Sequence, residues 1–160
     1  MSNPPILGSS RTSVVIPASR ATLYRAFTDP AALEAWQAPG EMTGKVHAFD
    51  LRLGGGYEMS LFYPVSDEES VGKSGEREDR FTTRFVELSP PARIVQVVTF
   101  DSDDPAFAGE MTMMITLEKQ AGGTEVTISY EGIPAGIRPE DNELGTRLSL
   151  EKLGRYLGGQ

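Results

Sequence analysis

Hydrophobic and polar positions change rhythm along this chain. The run Thr12-Ser13-Val14-Val15-Ile16 predicts a first strand, closed by Pro17. Ser19 fits the N-cap of a short helix reaching about Thr28, with Leu23 and Phe27 on one face. Asp29-Pro30 restarts the chain into a second short helix ending near Trp36, and Pro39-Gly40 stops it. From there the apolar period shortens from helical to alternating.

Met42 to Leu51 is a strand candidate, and Gly54-Gly55-Gly56 supplies a turn where positive φ costs little. Tyr57, Met59, Leu61 and Tyr63 then alternate with Glu58, Ser60 and Phe62. Pro64 to Glu78, rich in Ser, Gly and carboxylates, reads as an exposed, mobile loop. Phe81 to Leu88 and Ile94 to Phe100 follow as strands joined through Pro90-Pro91, with a polar connection from Asp101 to Gly109. Met111, Met113, Ile115 and Leu117 alternate with Thr112, Met114, Thr116 and Glu118, and Gly122-Gly123 turns the chain into a last strand carrying Val126, Ile128 and Tyr130 on one face.

Pro139 opens the final element, a helix. Glu140, Asp141 and Glu143 complement the positive end of its dipole, Lys152 and Arg155 lie near the negative end, and Gly158-Gly159 ends it. Leu150, Leu153 and Leu157 form an apolar stripe. The alternating strands need one apolar face covered, and only this helix is long enough to cover it. The expected architecture is α+β: a curved antiparallel sheet wrapped around a long C-terminal helix, with two short helices after the first strand. Residues 1–10 are expected to be a flexible tail and 11–158 a single domain.

Composition narrows the function. The 160 residues carry 15 Lys and Arg against 23 Asp and Glu, a formal charge of -8, with no basic run to attract nucleic acid or an anionic membrane. No stretch approaches the roughly 18 apolar residues of a membrane span, and the N-terminal residues lack a signal-peptide pattern. The absence of cysteine removes disulfides, thiol chemistry and Cys-ligated metal, and the expected location is the cytoplasm.

Candidate chemistry is sparse. His47 is the single histidine, too few for a histidine zinc site, and as a general base it would need a partner and a cavity-facing ring. Gly72-Lys73-Ser74 fails the phosphate-loop pattern because Asp67 stands at the first glycine position. Asp50 and Arg52 share a strand face and read either as a surface ion pair or as a polar anchor inside a cavity. No catalytic residue, metal or cofactor is assigned.

Four stretches in order carry a family resemblance: Leu33-Glu34-Ala35-Trp36 with Pro39; His47 to Gly55; Glu87-Leu88-Ser89-Pro90-Pro91-Ala92-Arg93-Ile94-Val95; and Gly145 onward to Leu153. With Gly123-Thr124 opening the last strand, the chain resembles the START-like (SRPBCC, helix-grip) superfamily from about Arg11 to Leu157. Within it, the chain is most similar to the branch named for the C-terminal domain of the heat-shock chaperone ATPase activator. Such proteins often carry Trp after the glycine of the last helix, where this chain has Thr146, so a bulky lid is missing and either a different ligand or a wider opening is expected.

The resemblance implies a cavity between sheet and helix. The inward-facing positions expected to bind a ligand there are Trp36, Met59, Leu61, Phe81, Phe85, Val98, Phe100, Met113, Ile115, Tyr130 and Leu150. Methionines suit either an irregular core or an adaptable pocket, and tyrosine hydroxyls can orient a polar group. The leading expectation is binding of a small, largely apolar ligand. The alternatives are a protein-interaction module whose partner is a chaperone ATPase, and a weak cyclase- or hydrolase-like enzyme. A homodimer is compatible with each.

Overall fold

The computed structural model describes residues 7–64 and 78–158. Most of the loop expected between Pro64 and Glu78, with Glu68-Glu69 and Gly72-Lys73-Ser74, lies outside them. The elements run β1 (Gly8–Ile16), α1 (Arg20–Thr28), α2 (Pro30–Trp36), β2 (Thr43–Asp50), β3 (Gly56–Phe62), β4 (Glu78–Ser89), β5 (Arg93–Phe100), a 3-10 turn (Pro105–Phe107), β6 (Glu110–Gln120), β7 (Gly123–Ile133) and α3 (Pro139–Gly158). The expected α+β helix-grip fold is the one found. β1 starts earlier than its apolar run, because Gly8, Ser9 and Ser10 pair through their main chains with Ile133, Glu131 and Tyr130 of β7.

One sheet contains all the strands in the order β1-β7-β6-β5-β4-β3-β2, every neighbour antiparallel. β1 and β2 are consecutive in sequence yet form opposite edges, so α1 and α2 carry the chain from one edge to the other. Register shifts at Val46/Ala48 and Phe85/Glu87 are bulges, which bend the strands that hold them and help the sheet curl. Gly123 is needed where β7 meets β1, since a side-chain carbon there would lie 2.1 Å from the Ile16 carbonyl oxygen.

Local caps set the short helices. The Thr22 N–H donates to Ser19 Oγ at 3.1 Å, and the Ala32 N–H donates to Asp29 Oδ2 at 3.1 Å with Pro30 at the first turn of α2. Trp36 is locked by Nε1 donating to the Ala26 carbonyl at 2.8 Å and by an edge contact with Phe27 at 4.8 Å. Leu150 and Leu153 of α3 are buried in the core, and Leu157 packs at its margin.

A cavity under the first half of the last helix

The concave face of the sheet is filled at one end and hollow at the other. At the filled end Leu23, Phe27, Leu33, Met59, Phe85, Ile94, Ile115, Leu117, Val126, Leu150 and Leu153 form a continuous core. At the other end lies a cavity of about 330 Å³. Its sheet wall consists of Leu61 and Tyr63 at the end of β3, Asp79 and Phe81 on β4, Gln96, Val98 and Phe100 on β5, Met111 and Met113 on β6, and Ile128 and Tyr130 on β7. Trp36, Gln37, Pro39 and Met42 close one side, and Ile137, Asp141, Asn142, Gly145, Thr146 and Ser149 form the roof.

Of the residues expected to face a ligand, Trp36, Leu61, Phe81, Val98, Phe100, Met113 and Tyr130 line this space. Met59, Phe85, Ile115 and Leu150 face the same interior but pack in the filled end, away from the cavity. The difference is position along the strand. Alternation fixes which face a side chain takes, while the contact with the short helices and the second half of α3 decides which end is solid.

Several wall residues escaped the sequence reading. Gln96 is the informative one: it shares its strand face with Ile94 and Val98, and a polar residue at an inward phase is a readable signal. Tyr63 too was readable, in phase with Met59 and Leu61. Gln37, Asp79, Asn142 and Ser149 gave no comparable signal, since they sit at element ends or on a helix face whose rotation is set by packing.

The polar groups are held in place. Gln96 Nε2 donates to Tyr57 Oη at 3.1 Å, and Tyr57 Oη donates to Gln37 Oε1 at 3.4 Å. Tyr63 Oη donates to Asp79 Oδ2 at 2.8 Å. Thr146, at the position where a bulky lid was expected to be missing, lines the roof and donates from Oγ1 to the Asn142 carbonyl at 2.8 Å. Burial raises the pKa of Tyr57, opposed by hydrogen bonds to Gln96, Gln37 and Thr83. Burial also raises that of Tyr130, with the nearby Tyr57 adding to it and the Thr146 side chain opposing it. Both phenols therefore stay neutral at physiological pH and are poorly suited to abstracting a proton. Of the two, Tyr130 lines the cavity, while the Tyr57 hydroxyl is held by Gln96 and Gln37 behind the wall.

The remaining candidates lie outside the cavity. His47 is exposed on β2, and its Nε2 is 2.8 Å from Ser60 Oγ, which in turn donates to Glu78. Asp50 and Arg52 form the surface ion pair, at 2.7 Å, and not an internal anchor. They border a second hollow on the outer face with Glu58, Thr82, Arg84 and Thr99, a charged and open surface unlike the apolar cavity. Among the described residues no group of His, Asp and Glu could hold a metal, and no helix is long and apolar enough to cross a membrane.

Comparison with known proteins agrees with this geometry. Protein CV1439 from Chromobacterium violaceum is 34% identical, with 92% of this chain and 95% of that chain covered and a TM-score of 0.81. A protein from Rhodobacter sphaeroides is 19% identical over 94% of this chain and 92% of its own, with a TM-score of 0.75. One from Arthrobacter aurescens is 17% identical over 95% and 87%, with a TM-score of 0.73. These last two show the shared fold alone. No functionally curated protein matches the chain. The sequence model for Activator of Hsp90 ATPase homolog 1-like protein matches residues 17–158. The chain belongs to that family.

Proposed function

We propose that this protein binds a small, largely apolar molecule, in the cytoplasm, between the sheet and the first half of α3. The cavity carries the reading. Its volume of about 330 Å³ falls at the small end of ligand sites, which span about 300–1,000 Å³. Aromatic rings, methionines and aliphatic side chains dominate its wall, with a few fixed polar groups to orient a guest. Met111 and Met113 give part of that wall flexible, polarizable surface.

Trp36 is the chain's single tryptophan and forms part of the wall, so its emission reports directly on occupancy. Titration with apolar aromatic ligands should change that emission with about one site per chain and raise the melting temperature. Native mass spectrometry of gently purified protein should show a retained small molecule. If no compound of a broad apolar library binds and none is retained, the reading fails.

A second reading, a module that engages a chaperone ATPase, draws on the family description and on one surface feature. Leu51, Leu53 and Val86 are exposed around the β2–β3 turn, which is tied to the β4 bulge by Gly54 N–H to Phe85 O at 2.9 Å and Phe85 N–H to Gly55 O at 2.8 Å. Stimulation of a purified chaperone ATPase, lost on Leu53→Ser, would favour it. No stimulation would set it aside.

A further inference from the structure

The sheet wall of the cavity turns polar where the pattern of β5 calls for an aliphatic side chain. Gln96 stands in phase with Ile94 and Val98 and is 2% exposed. Its cross-strand neighbours are Phe85 on β4 and Met113 on β6, so it marks the floor where the solid end of the core gives way to the cavity. Its Nε2 donates to Tyr57 Oη at 3.1 Å and to Met113 Sδ at 3.3 Å. A thioether has lone pairs and no proton, which sets the orientation of the amide: the N–H end faces sulfur and Oε1 turns the other way. No described residue donates to that oxygen, on a side chain that is part of the cavity wall. The oxygen is not among the fully buried unpartnered atoms and so keeps access to the cavity. A guest that displaces water from it must supply a donor of its own or leave the carbonyl unpaired.

The charges of the site point the same way. No Lys, Arg or His is among the described residues that line it; its charged members are Asp79, 5% exposed, and Asp141 at the solvent side of α3. The nearby ammonium of Lys152 is instead directed to the carbonyls of Ala38 and Met42. A carboxylate guest would surrender its hydration and gain no cation among the described lining residues.

Building on the reading of the cavity as a ligand site, we infer that its ligand is an uncharged molecule with an apolar body and one O–H or N–H donor, which it delivers to Gln96 Oε1. Fatty acids and other carboxylates are rejected. The chemical class is that of phenols, alicyclic alcohols and neutral N–H heterocycles.

A matched set tests this: 2-naphthol, 2-methoxynaphthalene, naphthalene and 2-naphthoate, titrated calorimetrically into the wild-type chain and into Gln96→Met. The wild type should bind 2-naphthol about tenfold more tightly than the methoxy compound, the ratio of one net hydrogen bond, with 2-naphthoate weakest. Gln96→Met should bring naphthol and methoxynaphthalene to within about twofold of each other while retaining naphthalene. Equal binding of naphthol and its methyl ether to the wild type, or tightest binding of 2-naphthoate, overturns the inference and leaves the apolar ligand site standing. Binding of none of the four overturns both. Should Gln96→Met fail to fold, the wild-type ratios decide alone.

Discussion

Ser149 Oγ on α3 donates to the Gln37 carbonyl oxygen at 2.7 Å, fastening the roof of the cavity to the segment that follows α2. One turn further on, Lys152 Nζ donates to the carbonyls of Ala38 at 2.9 Å and Met42 at 3.0 Å. These bonds satisfy main-chain acceptors of an irregular segment, and that segment contributes Gln37, Pro39 and Met42 to the wall. The seam thus couples the placement of α3 to the shape of the site.

Ser149→Ala should cost about 1 kcal/mol and Lys152→Met about 1–2 kcal/mol in urea unfolding, the range for single hydrogen bonds and for those from a charged donor near the surface. Both side chains secure one segment, so the double variant should lose less, or more, than the sum by at least about 0.5 kcal/mol. Strict additivity would show that the two bonds act independently and that no common seam exists.

The solid end of the core should behave differently from the cavity end. Leu153→Ala and Leu150→Ala remove fully buried side chains, and each should cost about 2–5 kcal/mol. Val98→Ala, at the cavity wall, should cost less, since the removed methyls already border open space on one side. A larger loss at Val98 than at Leu153 would contradict this division of the interior.

How far the sequence disclosed this structure depends on the physical signal involved. Period and punctuation located the elements: Ser19 and Asp29 cap the helices they precede, Pro30 and Pro139 open α2 and α3, and alternation marks the inner face of each strand. The cavity itself was legible only in part. Trp36, Phe81 and Met113 face it, whereas Phe85 and Ile115, with the same inward phase, are sealed beneath other elements. A period of two has no memory of distance along the strand. That information resides in tertiary contacts, where α1, α2 and the second half of α3 cover one end of the sheet. Gln96 carried a signal of its own, while the roof residues Asn142 and Ser149 became identifiable only when the rotation of α3 was known.

Alkaline pH should expose the two buried phenols. The folded-state pKa values of Tyr57 and Tyr130 lie above the ordinary 10.0. Above pH 10 the unfolded chain loses these protons while the folded chain keeps them, so the unfolded state is favoured. Their contribution is fully present below pH 10 and is lost progressively as pH rises toward the folded-state values. Tyr57→Phe and Tyr130→Phe should each flatten the fall in melting temperature between pH 10 and 11, relative to wild type. An unchanged slope in both variants would mean that the phenols ionise in the folded state as they do in water.

Gly145 offers the most direct way to close the cavity. It lies on the roof, in the first half of α3, and a side-chain carbon added there would meet no atom within 4 Å beyond the adjoining backbone of its own helix. Its backbone is helical, so replacing it involves no special φ. Gly145→Ala should stabilise the protein by about 0.5–1 kcal/mol through helix propensity, with little effect on binding. Gly145→Phe keeps part of that gain and projects a ring into the space a ligand would occupy. It should weaken binding of an apolar aromatic compound at least about tenfold while the melting temperature stays within a few degrees of wild type. That pairing matters because overpacking a filled core typically costs about 1–3 kcal/mol. A Gly145→Phe protein that is badly destabilised would show the roof to be packed and not hollow. One that folds well yet binds as tightly as the wild type would place the ligand elsewhere.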